Sequence, residues 1–230
     1  MNMQKQIIMH TTRTLEVLKS ILHSKSLKLS YSKENFCIGN KKISSAAHPM
    51  VCFCECNEND LPNRVITYGR YGVAFSIDWA LRKRVSPVLY IDENSLAAKG
   101  LEKLLRARQN KENSKLPDNL RLPIMEIKCF TKNVRGYNSY FNQDNFYFKI
   151  ENEWRYVPRK SDIDGKLISQ NQSTYIKKQD FYNKKLEPYS LKFIDSDIEN
   201  IFVSREDEIT LIAEEFSIDI EKIQVSVWKT

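Results

Sequence analysis

The stretch YGRYGVAFSIDWA, residues 68–80, combines a turn, a strand and the start of a helix. Gly69 and Gly72 predict a tight turn, because glycine adopts backbone conformations that other residues avoid. The apolar residues after the turn predict the end of a strand. Ser76 or Asp78 can then cap a helix whose basic end suits the negative pole of the helix dipole. This succession indicates a fold that mixes strands and helices.

The same mixture continues towards the N-terminus. Residues 7–9 predict a short opening strand, after which Thr11 or Thr12 can cap a helix. The apolar run MVCFC, residues 50–54, predicts a buried strand. The polar stretch 32–47 before it predicts a loop.

Strands and helices also alternate towards the C-terminus. Residues 95–109 predict a helix, 124–130 an extended segment and 151–157 a strand. Residues 159–185 are polar and lysine-rich, which predicts an exposed excursion. Because there is no repeat and no break in composition, we expect one mixed α/β domain over residues 1–230. Its class is α+β, with a largely antiparallel sheet.

The composition is that of a globular protein with a sizeable core. The chain has 230 residues, of which 41% are apolar and 28% are charged. Its formal net charge is +7 and its pI is about 9.0, which permits binding to nucleic acid or a nucleotide without requiring it. No apolar run is long enough for a membrane helix, and the N-terminus lacks an export signal. We therefore expect a soluble, cytoplasmic protein.

The cysteines favour neither disulfides nor a metal site. Their number is odd: Cys37, Cys52, Cys54, Cys56 and Cys129. The C-x-C-x-C run could place three thiols on one face of a strand, with His48 as a fourth ligand. An extended run does not turn back on an ion as the usual C-x2-C loop does. We therefore expect no metal site and interpret these cysteines as small apolar residues of a core strand.

Several common enzyme signatures are absent from the sequence. It contains no G-x-G-x-x-G or G-x4-G-K-[ST] phosphate loop, no G-x-S-x-G elbow and no H-E-x-x-H helix. The absence of these motifs argues against the dinucleotide-binding, nucleotide triphosphatase, hydrolase and metalloprotease classes that carry them.

Five blocks of sequence together resemble one protein family. They are His10-Thr11-Thr12, PMVCF (49–53), the stretch 68–80, PVLY (87–90) and EWRYVP (153–158). Over residues 8–228 the chain resembles the AbiGi family of bacterial abortive-infection proteins, which are described as antitoxins. The resemblance implies phage defence and a partner toxin of the same system. After Cys54 the chain has Glu-Cys-Asn-Glu where the family tends towards Asp-Ile-Pro-Leu, so no role is carried over to that segment.

A second resemblance concerns chemistry. ADP-ribosyltransferase-like folds open with a strand-borne His, followed by a helix, a strand that ends in an aromatic residue or Ser, and finally a Glu at the start of a strand. His10-Thr11-Thr12, Tyr71 with Phe75-Ser76, and Glu153 match this order, and Glu151 completes an E-x-E spacing. This resemblance implies NAD as a substrate and requires no metal.

The resemblance also implies roles for individual residues. His10 would hydrogen-bond the NAD ribose and Thr12 would steady it. Tyr71 or Tyr68 would stack on nicotinamide. Ser76 would orient the carboxylate of Glu153, which would stabilise the positive charge that develops on the ribose as nicotinamide leaves.

Structural interpretations compete with these roles. His10 could be a hydrogen-bonded structural residue, and Glu153 with Arg155 could form an exposed ion pair. Two basic segments, 99–115 and 175–185, suit either nucleic-acid binding or a solvated surface. Three classes of function therefore remain open: an NAD-dependent transferase or NAD-cleaving enzyme, a non-catalytic antitoxin, and a nucleic-acid-binding module.

Overall fold

The computed structural model describes residues 5–66, 68–110, 116–138 and 140–229. The strands are β1 (Gln6–Thr12), β2 (Ser26–Lys28), β3 (Ser30–Ile38), β4 (Lys41–Asn57), β5 (Tyr71–Ser76), β6 (Ser86–Pro87), β7 (Leu89–Ile91), β8 (Thr131–Asn133), β9 (Arg135–Asn138), β10 (Gln143–Tyr147), β11 (Glu153–Tyr156), β12 (Gln170–Asn171), β13 (Ser190–Lys192), β14 (Ile198–Val203) and β15 (Ile223–Val225). The helices are α1 (Leu15–Ser24), α2 (Ile77–Arg82), α3 (Leu96–Gln109), α4 (Asp118–Cys129), α5 (Gln172–Ile176), α6 (Gln179–Lys184) and α7 (Asp207–Phe216).

A nine-stranded sheet forms the centre of the fold. Its main path runs β15-β14-β5-β1-β4-β11-β6, and β3 and β12 pair with β4 beside this path. Every pairing in the sheet is antiparallel except that of β14 with β15. The structure thus confirms the predicted α+β class and the largely antiparallel sheet.

The opening strand β1 lies in the middle of this sheet. It pairs with β5 from Ile7 opposite Ser76 to Thr12 opposite Tyr71, which is all of the strand except Gln6. Its pairing with β4 stops earlier, at Met9 opposite Cys54. The two strands therefore separate beyond Met9, and the sheet opens there.

Apolar side chains pack on both faces of β1, because successive residues of a strand point to opposite sides. Ile8 belongs to a large core that also contains Phe53 and Trp79. Phe75 stacks on Trp79 with ring centroids 3.9 Å apart, and Trp79 is almost fully buried in this core. A smaller core on the other face contains Ile7, Met9, Cys56, Phe202 and Trp228, among others.

The predicted loop at 32–47 is wrong. Most of this stretch belongs to β3 and the first half of β4, which form a long antiparallel hairpin. Phe36, Ile43 and Ala47 are buried, while many polar side chains between them stay accessible. The sequence did not predict this hairpin, because its apolar positions are too sparse to form a strand pattern.

Two further predictions need correction. Residues 124–130 are mostly helical rather than extended, because all but the last belong to α4. This helix buries Ile124, Met125 and Cys129. The cap of α1 is Thr14, whose hydroxyl accepts a hydrogen bond from the amide of Val17. Neither Thr11 nor Thr12 can serve as the cap, because both belong to β1.

The lysine-rich excursion 159–185 is mostly exposed, but part of it packs against the core. Ile163, Ile168 and Tyr175 are buried, and the segment contains β12, α5 and α6. The end of the other basic segment, 111–115, lies outside the described residues. Among the residues described, no helix is long and apolar enough to cross a membrane.

Candidate functional site

A cleft opens where β1 separates from β4. It has a volume of about 220 Å³. Its lining residues include His10, Lys28, Cys52, Tyr68, Glu151 and Glu153. The split in the sheet thus brings β1, β4 and β11 around one opening.

His10 is the first residue of β1 beyond the last pair with β4. Its Nδ1 lies 2.9 Å from the carbonyl oxygen of Cys52. Because a carbonyl can only accept, Nδ1 carries the proton, and Nε2 is left as an acceptor when the ring is neutral. Burial lowers the pKa of His10 and so favours the neutral ring. The ring also contacts Phe53 edge-on, with centroids 5.8 Å apart.

Glu153 opens β11, directly opposite Cys54 of β4. Arg155 donates to both of its carboxylate oxygens, at 2.7 and 3.0 Å, and Lys132 donates to one of them at 3.0 Å. Burial by itself would raise the pKa of Glu153, but the charges of Arg155 and Lys132 outweigh it and hold the pKa well below its usual range. Glu153 is therefore ionised and matched by two cations.

These groups belong to a larger buried charge network. Arg155 also donates to Glu34 at 2.6 Å, and Lys132 pairs with Glu151 at 2.6 Å. Arg155 is fully buried and Glu153 is 8% exposed, so the exposed ion pair that we considered is wrong. Burial raises the pKa of Glu151, although Lys132 opposes this effect. The two carboxylates of the E-x-E pair thus have opposite pKa shifts.

Tyr68 reaches the cleft from the glycine turn before β5. Gly69 has φ +125°, and a Cβ on it would lie 2.1 Å from the carbonyl oxygen of Thr12. The indole Nε1 of Trp228 donates to the carbonyl of Gly69 at 2.9 Å. This turn fits closely against the end of β1, and only glycine allows so close an approach.

Some of the predicted site residues line the cleft, and the others lie elsewhere in the fold. His10 and Glu153 line it, and so does Tyr68, which we considered beside Tyr71 for the stacking role. The hydroxyl of Tyr71 instead donates to Glu208 at 3.0 Å. The hydroxyl of Ser76 caps α2 by accepting from the amide of Trp79 at 3.1 Å.

Thr12 is buried opposite Tyr71 and is not among the lining residues. Lys28 and Lys132 contribute charge that the sequence analysis missed. Neither lies in a recognisable motif, and β2 and β8 bring them near the cleft only in the folded chain. No local pattern could have identified them.

The cysteines of β4 divide between the cleft and the core. Cys52 and Cys54 line the cleft, whereas Cys56 is buried in the smaller core. A hydrogen bond between the thiols of Cys54 and Cys56 is the main reason why the pKa of Cys54 is lowered. All five cysteines are free. Within the described part of the chain, no three His, Cys, Asp or Glu side chains are grouped as a metal site would require.

A second cavity of about 270 Å³ adjoins the cleft. Cys54, Ile66, Tyr68 and Glu151 line both cavities. The rest of the wall of this second cavity is largely apolar and includes aromatic rings of the β9–β10 region. The cleft that contains His10 and Glu153 and a largely apolar cavity therefore lie side by side.

Comparison with protein families gives a match over most of the chain. The family is described as "Putative abortive phage resistance protein AbiGi, antitoxin", and its model matches residues 16–204 of the 230. The chain belongs to this family. The matched region contains Tyr68, Glu151 and Glu153 and begins after His10. No curated protein and no solved structure matches the chain significantly. The family description is of abortive phage resistance and of an antitoxin, which implies a toxin partner.

Proposed function

We propose that this chain acts in abortive phage resistance by binding NAD in the cleft, with ADP-ribosyl transfer or NAD cleavage as the reaction. The observation that carries the proposal is the convergence of His10, Tyr68 and Glu153 on one opening of the sheet. These residues lie far apart in the sequence and supply an acceptor, an aromatic face and a carboxylate. We place the protein in the cytoplasm, where NAD is present.

Each lining group then has a role in the reaction. The free Nε2 of His10 accepts a hydrogen bond from a ribose hydroxyl, and Tyr68 stacks on nicotinamide. Lys28 is exposed at the cleft and suits a phosphate group. The carboxylate of Glu153 stabilises the ribosyl cation that forms when the C1′–N bond breaks and nicotinamide leaves with the electron pair.

Glu151 suits a second role in the same reaction. Its raised pKa brings it closer to neutral pH than an exposed carboxylate, as a general base requires. In this proposal Glu151 takes the proton of the acceptor hydroxyl or water, whose oxygen forms the new bond to C1′. Lys132 then keeps both carboxylates in place.

A second candidate function is a non-catalytic antitoxin that binds and restrains a partner toxin. Two observations favour it. The family description names an antitoxin, and Arg155 and Lys132 occupy both oxygens of Glu153. A carboxylate already matched by two buried cations offers less negative charge to a developing cation. In this version, NAD binding persists without turnover, or the cleft has no nucleotide ligand.

Titration calorimetry with NAD tests the proposal. We expect saturable binding to the wild type and at least tenfold weaker binding to His10→Ala. His23→Ala serves as the control, because His23 is exposed on α1 and does not line the cleft. Absence of binding to the folded wild type overturns the NAD proposal and leaves the antitoxin function.

Nicotinamide release then separates the enzyme from the antitoxin. If Glu153 acts as proposed, Glu153→Gln lowers the release rate by about 10²–10³-fold while NAD still binds. Binding without release by the wild type contradicts the catalytic role. Co-purification with a toxin of the same system is then the next measurement.

A further inference from the structure

The β9–β10 region presents an unusual set of exposed aromatic rings. Tyr137 is 57% exposed, Tyr140 52%, Phe141 37% and Tyr147 39%. We call these four residues the aromatic surface. Tyr140 contacts Phe141 edge-on at 5.1 Å, and Phe141 stacks on the buried Phe146 at 5.6 Å. Tyr140 and Phe141 are therefore anchored to the fold through Phe146. Tyr147 follows Phe146 on β10 and faces the other side of the strand, so the exposed rings lie on two sides of the β9–β10 hairpin.

Arginines lie beside these rings. The guanidinium of Arg13 is 5.9 Å from the centroid of Tyr140, and that of Arg135 is 5.0 Å from the centroid of Tyr147. Arg64 lies in the wall of the apolar cavity and, among the described residues, donates to the backbone carbonyls of Glu55 and Glu151. None of these three arginines pairs with a carboxylate of any described residue, unlike Arg84, Arg106, Arg121, Arg155 and Arg205.

Acidic groups offer little compensation at this surface. Glu151 lines the apolar cavity, but its charge is matched by Lys132. Asp144 is exposed on β10. The three arginines outnumber the exposed Asp144 and the partly exposed Glu55, whose backbone carbonyl Arg64 contacts, and so leave a net positive surface that favours an anionic partner.

The apolar cavity adds a slot for a flat ring. Phe141, Phe146, Ile150 and Tyr68 line it, and Arg64 supplies a cation at its wall. Phe141 belongs to both the cavity and the aromatic surface, so the two are continuous. A nucleobase has two apolar faces and is attached to an anionic backbone, and it matches both parts of this site.

We propose that the aromatic surface and the apolar cavity bind single-stranded nucleic acid, with one base in the cavity and others stacked on the exposed rings. Arg13, Arg64 and Arg135 contact the phosphates. A duplex keeps its bases paired and stacked, so it cannot present a ring to the cavity without opening. This site is separate from the basic segments that the sequence analysis singled out, and it does not depend on NAD binding.

Fluorescence anisotropy with labelled single-stranded oligomers of about 12 nucleotides tests this proposal. One arm uses oligo-dT and the other oligo-rU, and binding to either supports it. We expect Tyr140→Ala and Phe141→Ala each to weaken binding by about fivefold or more. Arg13→Gln and Arg135→Gln should each reduce the dependence of log K on log salt by about 0.7.

The chain supplies a matched control for these variants. Phe181 is 53% exposed in α6, and the ammonium group of Lys185 lies 4.1 Å from its ring centroid. Phe181→Ala and Lys185→Gln should leave the affinity within about twofold of the wild type. A larger loss in these controls than in the Phe141 and Arg135 variants overturns the assignment. Equal affinity for an abasic oligomer also overturns it, because such an oligomer has no bases to stack. Absence of binding in both arms overturns it outright.

Discussion

The charge state of Glu153 depends on the residues around it in the fold. The resemblance to ADP-ribosyltransferase-like folds singled it out as the Glu at the start of a strand, with Glu151 completing an E-x-E spacing. Its chemistry depends on Lys132 and Arg155, which hold it ionised. Such a matched carboxylate is well positioned, but the cations weaken its effect on a developing positive charge. The choice between enzyme and antitoxin therefore depends on this one side chain.

His48 predicts a dependence of stability on pH. It is fully buried in β4, and its Nδ1 contacts the carbonyl oxygen of Ile168 at 3.2 Å. Burial, with a smaller contribution from the charge of Lys128, lowers the pKa of His48 to about 3. The unfolded chain therefore binds a proton that the folded chain does not, below a pH of about 6.5. As the pH falls from about 7 to about 5, His48 should remove on the order of 2 kcal/mol from the free energy of unfolding.

Urea unfolding at both pH values measures this effect. In His48→Asn, the amide nitrogen can replace the Nδ1 donor but does not titrate. The variant should therefore lose about 2 kcal/mol less than the wild type over the same pH range. Equal losses in the two proteins would show that His48 is not kept neutral by folding.

At the scale of elements, Ser76 is a helix cap at the join between β5 and α2. Its hydroxyl accepts from the amide of Trp79, and α2 begins at the next residue, Ile77. We expect Ser76→Ala to lower the free energy of unfolding by about 1 kcal/mol, because a backbone donor loses its partner. Ser76→Asp should restore most of this stability.

The same variants test whether Ser76 belongs to the site. Because Ser76 is not among the residues that line the cleft, Ser76→Ala should leave NAD affinity within about twofold of the wild type. Calorimetry on the folded variant decides this. A tenfold loss of affinity in Ser76→Ala, recovered in Ser76→Asp, would instead support the role that the resemblance to ADP-ribosyltransferase-like folds implied.

The sequence of residues 68–80 was informative about the local structure but ambiguous about which residues carry the chemistry. It predicted the turn, the strand and the cap, all of which depend on residues close together in the chain. It could not choose between Tyr68 and Tyr71, since both flank the same glycine turn. The pairing of β5 with β1 fixes Thr12 opposite Tyr71, while the turn directs Tyr68 to the cleft.

At the scale of the whole molecule, Trp228 ties the C-terminal segment to the cleft. It is 1% exposed, packs edge-on against Phe202 at 5.1 Å and donates to the carbonyl of Gly69. Trp228→Ala should lower the free energy of unfolding by about 3–5 kcal/mol, because it empties a large volume in the smaller core. Denaturant unfolding measures this loss. Val227→Ala is the matched control, since Val227 is exposed and should change stability by less than about 0.5 kcal/mol. Similar effects of the two substitutions would contradict the proposed importance of the smaller core.

The sequence by itself determined the elements whose signals are local. The continuous apolar run at 50–54 predicted a strand that is part of β4, and the helix predicted at 95–109 closely matches α3. The sparse pattern of the β3–β4 hairpin was missed because its hydrogen bonds come from a partner strand rather than from neighbouring residues. The cleft could be located only from the tertiary structure. It lies where the β1–β4 pairing ends early and where buried charges surround Glu153, and both features join distant parts of the chain. Local sequence favours a backbone conformation where its signals are strong, whereas strand pairing and the environment of a side chain depend on contacts that exist only after folding.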